Sequence, residues 1–388
     1  MSKENVMNTY SRFDLTIVSG YRSKIKDING KKYIDFISGI AVNTLGHSNP
    51  KIIESIKSQS QKVMHVSNIF WTKPLIDLAS KLSENSDLDQ TFFCNSGTEA
   101  NEVAIKIARK YGKLHGSKNK TQIIYANNSF HGRTMGALSI TGQEKYQKDF
   151  TPLIPDTIAV NYNNIQDLKN AFNENTCAVF LEAVQGEGGI IQIDDDFLKE
   201  ARNLCDQYDA LLIFDEVQTG IGRLGTLFAY QSFGVVPDIV TMAKGLGGGF
   251  PIGACLASKK AGEALVPGDH GNTFGGNPLA CSVALTILNE ILNENLLDNV
   301  NIMATYLTNK LEDLKNKYPI IKDIRGKGLL IGMEIATSTK DFQTSCFENG
   351  LLLVPAGNNT IRFLPPLNIN KDEIDEMLVI LEKSLSTL

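Results

Sequence analysis

The chain is poor in the residues that build metal and disulfide sites. Its five histidines fall in no H-E-x-x-H or related spacing. Its six cysteines (Cys94, Cys177, Cys205, Cys255, Cys281, Cys346) are scattered and form no C-x-x-C pair. No metal site is expected, and the thiols read as reduced; four of them sit in or beside apolar runs, as small core residues do. No apolar run approaches the ~18 residues of a membrane helix. The start, MSKENVMNTYSRF, has no apolar stretch of the secretory type, so a cytoplasmic protein is expected. A net charge of −5 without a large basic block points away from nucleic acid and from anionic membranes. A dinucleotide fingerprint is also missing. The glycine run Gly245, Gly247, Gly248, Gly249 puts Phe250 where the last glycine of G-x-G-x-x-G belongs.

What is present is an ordinary globular composition, 42% apolar and 21% charged, ample for a core. A length of 388 residues suggests two or three domains. Residues 13–36 read as short strands with an Asn29-Gly30 hairpin turn, and Asn49-Pro50 opens a helical pattern through Val63. From about 75 to 265, helical and strand-like segments alternate, the pattern of a mostly parallel sheet covered by helices. Beyond 290 the alternation breaks. Two helices, to about Lys317, lead into a glycine-rich strand (RGKGLLIGMEI), then LLLVPAG and TIRFLPPL. A last helix covers about Lys371 to Leu385, with Ile374, Leu378, Leu381 and Leu385 on its apolar face. The expected fold is α/β: a large domain over 51–285, a smaller α+β domain over 286–388, and an N-terminal segment, 1–50, packing with the small one.

The chemistry concentrates between Ala210 and Gly253. Two strand-length apolar runs, Ala210–Phe214 and Asp238–Met242, end near charged residues, Asp215 and Lys244. In an open α/β sheet the carboxyl ends of strands are where ligands bind. A lysine and a carboxylate there suit pyridoxal 5′-phosphate (PLP), which takes the amine as a Schiff base and the carboxylate at its ring nitrogen. Either residue alone is more often a solvated loop residue; the weight lies in the combination. Upstream, the strand Thr91–Cys94 is followed by Ser96 and Glu99 at capping-box spacing, so Gly97 and Thr98 open a helix whose N-terminus suits a phosphate. The loop NSFHGRT offers Phe130 as a stacking ring and Arg133 as a carboxylate clamp. Glu187 lies in the loop after the apolar strand Ala178–Leu181, where a solvated carboxylate is the ordinary reading.

In these motifs the chain resembles the class III (ω-amino acid) aminotransferases of PLP fold type I. The matching stretches are GIAVNTLGH, SGTEANEVAIKIAR, FHGRT, EAVQGEGG, LLIFDEVQTGIGRLG, AKGLGGGFPIGA, HGNTFGGNPLA and IRFLPPL, in family order over nearly the whole length. The resemblance implies Lys244 as the covalent and proton-moving lysine and Asp215 as the partner of the pyridine nitrogen. It implies Phe130 and Val217 about the ring, Gln218 near its phenolic oxygen, Glu216 beside them, and Gly97 and Thr98 at the phosphate. It further implies Thr273 at the phosphate of a neighbouring subunit, hence a homodimer with shared active sites. Substrate contacts fall to Arg133, Asn272, Glu187 and Arg362, the last two as a gate. When an ω-amine such as that of N2-acetylornithine is bound they pair; for glutamate, the product of 2-oxoglutarate, Arg362 is released. Asn272 stands where many relatives have serine. Ile40 stands where ornithine δ-aminotransferases carry a tyrosine, which favours an N-acylated donor. Ornithine, 4-aminobutyrate and succinyldiaminopimelate remain open as amino donors, and a PLP racemase or decarboxylase as a different reaction. The missing dinucleotide fingerprint counts against a nicotinamide dehydrogenase.

Overall fold

The computed structural model describes residues 4–386. Residues 1–3 and 387–388, the outermost positions of the two end segments, lie outside the described residues. Near the N-terminus β1 (Ile17–Tyr21), β2 (Lys24–Asp27) and β3 (Lys32–Asp35) run antiparallel in succession. The Asn29-Gly30 turn joins β2 to β3: Gly30 takes φ 87°, and Asp27 Oδ1 accepts from the N–H groups of Asn29 and Lys31. Asn49 caps the helix Pro50–Ser60 by accepting from Lys51 and Ile52. That helix stops three residues short of Val63. The N–H groups of Lys62 and Val63 both turn back to the Gln59 carbonyl, and the Gln59 amide donates to Val63 O at 2.8 Å.

The middle of the chain supplies β4 (Gln90–Cys94), β5 (Gln122–Ala126), β6 (Thr157–Val160), β7 (Thr176–Leu181), β8 (Val184–Gln185), β9 (Ile191–Gln192), β10 (Leu211–Asp215), β11 (Ile239–Met242) and β12 (Gly253–Ala257). Apart from the two-stranded β8–β9 ribbon these form one seven-stranded sheet, ordered β4-β12-β11-β10-β7-β5-β6. All its pairings are parallel except those of β12. Every residue of β5, β7, β10, β11 and β12 is buried, so these strands read as continuous apolar runs rather than alternating ones. The helix Gly97–His115 packs on the sheet through Ala100, Ala104, Ile107 and Ala108, all buried. The six cysteines are free and buried.

The C-terminal part differs from the sequence reading in two places. RGKGLLIGMEI is a hairpin, not one strand. β13 (Ile321–Lys327) turns at Gly328 into the antiparallel β14 (Leu330–Ile335). Gly328 has φ 56°, and a Cβ there would meet Leu224 Cα at 2.5 Å, so the turn needs glycine on both counts. LLLVPAG is divided between two sheets: β15 (Leu351–Leu352) pairs parallel with β3, whereas β16 (Val354–Ala356) joins β13-β14-β17-β16, with β17 at Thr360–Phe363. Both chain ends thus share one sheet. The final helix, Lys371–Leu385, has a complete Asn370/Glu373 capping box. Met377 joins Ile374, Leu381 and Leu385 on its buried face, and Leu378 is only partly covered. Glu373 also accepts from Arg22 at 2.9 Å and Ser23 at 2.7 Å, tying that helix to the N-terminal strands. The architecture is α/β, a large mostly parallel sheet with helices, plus a smaller α+β part built from both chain ends.

Candidate active site

A cavity of about 450 Å³ opens at the carboxyl ends of β10 and β11. The strand register puts Asp215, the last residue of β10, opposite Thr241 of β11, and Lys244 follows two residues beyond β11. Both line the cavity, as do Gly97, Thr98, Phe130, Arg133, Glu187, Val217 and Gln218. Lys244 itself has φ 38°, a left-handed conformation that a lysine adopts only where the surroundings impose it.

Asp215 is almost fully buried yet fully partnered. Its Oδ2 accepts from Asn101 Nδ2 and pairs with His131 Nδ1, both at 2.8 Å, and its Oδ1 accepts from the Val217 N–H at 2.9 Å. Thr241 Oγ1 donates to Asn101 Oδ1 at 2.6 Å, which fixes the amide so that its NH2 faces Asp215. The carboxylate is therefore held rigidly, ready for a cationic partner. Lys244 is pulled the other way. Burial pushes its amine below the ordinary lysine value, and Arg362 adds to this, while Glu187, Asp215 and Glu182 partly offset it. A lysine so depressed can serve as a base.

Glu187 and Arg362 meet: Nη1 lies 2.5 Å from Oε1. The same Nη1 donates to the Gly186 carbonyl at 2.8 Å and to Gln218 Oε1 at 2.9 Å. Burial works to raise Glu187, but Arg362, Lys244 and Gln218 together reverse it and hold the carboxyl below its ordinary value. Arg362 does not itself line the cavity. It sits buried behind Glu187 and Gln218, and its Nε is buried without a partner. Arg133, by contrast, is exposed at the cavity mouth and stacks over Tyr146, 3.8 Å from the ring centroid.

The residues fit a phosphate-bearing aromatic cofactor. The Gly97–His115 helix begins at the cavity, and its first N–H groups, those of Gly97 and Thr98, have no intrahelical acceptor. Ser96 accepts from Glu99 N–H, while Glu99 accepts from Asn95 rather than from Ser96, a variant of the expected reciprocal cap. A Cβ on Gly97 would meet Val217 Cγ1 at 2.7 Å, so only glycine lets the helix end approach Val217. Phe130 and Val217 are both half-buried residues of the same cavity, as a ring site requires.

Other expected residues lie elsewhere. Glu216 is buried and lines no part of the cavity. Its carboxylate accepts from the N–H groups of Ala229 and Tyr230, at 2.6 and 2.8 Å, and burial pushes it up to about 7. Asn272 and Thr273 are also outside the cavity. Asn272 donates to Phe93 O at 3.0 Å and accepts from Gly275 N–H, bracing its own loop, and Thr273 is exposed. Ile40 does not reach the cavity, but Val42 does. Just before Val42 the backbone turns left-handed through Ser38, Gly39, Ile40 and Ala41, with φ of 49°, 65°, 65° and 61°. Such a turn costs about 1–2 kcal/mol per non-glycine residue.

Sequence reasoning assigned nothing to Asn101, His131, Thr241 and Glu182. Signals existed for two of them: Thr241 is a polar residue inside an otherwise apolar buried strand, and His131 sits within the FHGRT motif. A buried polar side chain implies a buried partner.

The site defines an enzyme in which a buried amine, a clamped carboxylate and a helix N-terminus line one cavity that fits a phosphate-bearing aromatic cofactor. The family model described as "Aminotransferase class-III" matches residues 6–385, and the chain belongs to that family. Among its relatives, the acetylornithine aminotransferase of Clostridium acetobutylicum is 55% identical over 386 residues, 99% of this chain and all of that one. A structure of the Toxoplasma gondii ornithine aminotransferase, described as showing partial occupancy of PLP at its active site, superposes with a TM-score of 0.94. It is 33% identical over 99% of this chain and 93% of its own. The N-acetylornithine aminotransferase of Stenotrophomonas maltophilia K279a superposes with a TM-score of 0.86 at 35% identity, over 97% of each chain.

Proposed function

We propose that this enzyme binds pyridoxal 5′-phosphate and moves the δ-amino group of N2-acetyl-L-ornithine to 2-oxoglutarate, giving N-acetyl-L-glutamate 5-semialdehyde and L-glutamate, a step of arginine biosynthesis in the cytoplasm. The observation that carries it is the pairing of Glu187 with the buried Arg362 beside a depressed lysine and a clamped aspartate, read together with the full-length identity to an acetylornithine aminotransferase. When bound, the cofactor supplies an electron-withdrawing ring and carries the amino group from donor to acceptor.

The chain's own residues do the rest. Lys244 would hold the cofactor covalently and, as a free amine of lowered basicity, would move a proton at the substrate carbon. Asp215, its orientation fixed by Asn101, His131 and the Val217 N–H, would face the ring nitrogen and hold a proton there. Phe130 and Val217 would flank the ring, and Gln218, which lines the same cavity, would serve its phenolic oxygen. Gly97 and Thr98 offer N–H groups to the phosphate. Arg133 at the mouth takes a substrate carboxylate by bidentate pairing. With an ω-amine donor bound, Glu187 stays on Arg362; with glutamate, Arg362 is freed to hold the α-carboxylate. The orphaned Arg362 Nε is a donor left over for that job.

Thr273 and Asn272 fit a site completed across a homodimer. Beside them lies an exposed apolar surface of Met64, Ile69, Phe70, Trp71 and Phe274, too large to stay wet without purpose. Trp71 is 83% exposed, although tryptophan is usually well covered.

A half-reaction panel tests the reading. The purified protein is expected to be yellow, and borohydride to fix the cofactor on Lys244. Among N-acetylornithine, ornithine, 4-aminobutyrate and succinyldiaminopimelate, the first is expected to convert the cofactor fastest; a clear lead for another donor refutes the substrate assignment. Glu187→Gln is expected to move preference towards glutamate by about ten-fold, the size of one weakened charged hydrogen bond. Unchanged relative rates with the two donors would count against the gate.

A further inference from the structure

The roles above leave one carboxyl group in the cavity without a task. Glu182 follows β7 directly, is 6% exposed and lines the same cavity. Among the described residues no lysine or arginine pairs with it. Its Oε2 accepts from the Phe130 N–H at 3.2 Å and its Oε1 from the Gly186 N–H at 3.4 Å. Its own carbonyl accepts from Tyr162 Oη at 2.6 Å, which anchors the end of the strand. Phe130 belongs to the loop after β5, whereas Gly186 precedes Glu187 and gives its carbonyl to Arg362. One carboxyl group therefore spans the loop that covers the ring site and the loop that carries the Glu187–Arg362 pair. Burial, then the charge of Asp215, push its carboxyl well above the ordinary value, in keeping with a strut rather than an ion-pair partner.

We propose that Glu182 is a positioning residue that fixes the spacing between the Phe130 loop and the Gly186–Glu187 loop, so that the ring-covering face and the substrate gate keep register. This rests on the two-substrate reading above.

The test uses the full-length holoenzyme and two variants. Glu182→Gln offers one acceptor oxygen to two N–H groups, and Glu182→Asp keeps the carboxyl but is too short to reach both. In single-turnover half-reactions each is expected to shift the ratio of glutamate to N-acetylornithine rate constants towards glutamate by about ten-fold, as expected from one unmade buried hydrogen bond. The shift should not grow further when Glu187→Gln is added, because Glu182 acts through that loop. An unchanged ratio, with or without an equal loss for both donors, overturns the proposal, and so does simple additivity with Glu187→Gln. Should either variant fail to fold, hydrogen exchange on the wild type decides. The amides of Phe130 and Gly186 are expected to be protected together, and independent exchange of the two overturns the idea. If the wild type acts on another ω-amine instead of N-acetylornithine, the substrate reading falls and the ratio is read with that amine.

Discussion

Replacing Lys244 by alanine is expected to lower the rate of either half-reaction by about 10⁴-fold or more while leaving the protein folded. On the proposed reading two separate tasks would be lost at once, a covalent attachment and a proton transfer, and the second alone is worth roughly 10²–10⁴-fold. Folding should survive because the side chain makes no structural ion pair among the described residues and extends into a cavity. The left-handed φ of 38° is no harder for alanine than for lysine. Lys244→Arg is the telling comparison. It keeps a positive charge between Glu187 and Asp215 but cannot give up its proton, so its rate should be as low as that of the alanine variant. Single-turnover spectroscopy with each donor measures both. A retained rate above about one per cent in either variant would move the base to another residue.

The reason Lys244 could be picked out from sequence is that strand ends are legible. Buried parallel strands such as β10 and β11 are unbroken apolar runs, so a charge that ends one stands out. The cap at Ser96 and the terminal helix were legible for a similar reason, since short-range hydrogen bonds require particular residue types. The hairpin inside RGKGLLIGMEI was not. Its turn depends on Gly328 meeting the backbone of Arg223 and Leu224, about a hundred residues away, and no local pattern records that approach. The split of LLLVPAG has the same origin, because β15 is a strand only through its pairing with β3. Within the site, several residues that line the cavity were readable and those that hold them in place were not. Asp215 was visible, but Asn101 and His131 reach it from a helix and a loop, Thr241 fixes Asn101 from a neighbouring strand, and only the fold brings those together. Glu216 failed in the opposite sense. It neighbours Asp215 in sequence, but its side chain turns away to the N–H groups of Ala229 and Tyr230.

That holding network sets the second large effect. Asp215→Asn is expected to cost about 10³-fold in the half-reactions, in the range found when a preorganised charge-stabilising group is removed. An asparagine is nearly the same shape, so the loss is electrostatic. On the proposed reading, no anion would then stand opposite the ring nitrogen to hold its proton. The amide NH2 must also face either the Val217 N–H or the Asn101 and His131 donors, and one of these loses its acceptor. The change has a signature away from catalysis. The Asp215 charge helps to raise the carboxyl groups of both Glu182 and Glu216, after burial as the main cause. A carboxyl raised on folding binds protons that the unfolded chain has released. Its favourable contribution is complete below about pH 4.5 and disappears as the pH rises through the folded value, about 7 for Glu216. Removing the Asp215 charge lowers both groups, so the stability of the variant should fall less steeply than that of the wild type between about pH 4.5 and 7. Denaturant unfolding at stepped pH, with both proteins freed of cofactor, reads this slope. A variant with lost activity and an unaltered slope would mean that Asp215 does not act on its buried neighbours, and the carboxyl groups around the site would have to be treated as independent.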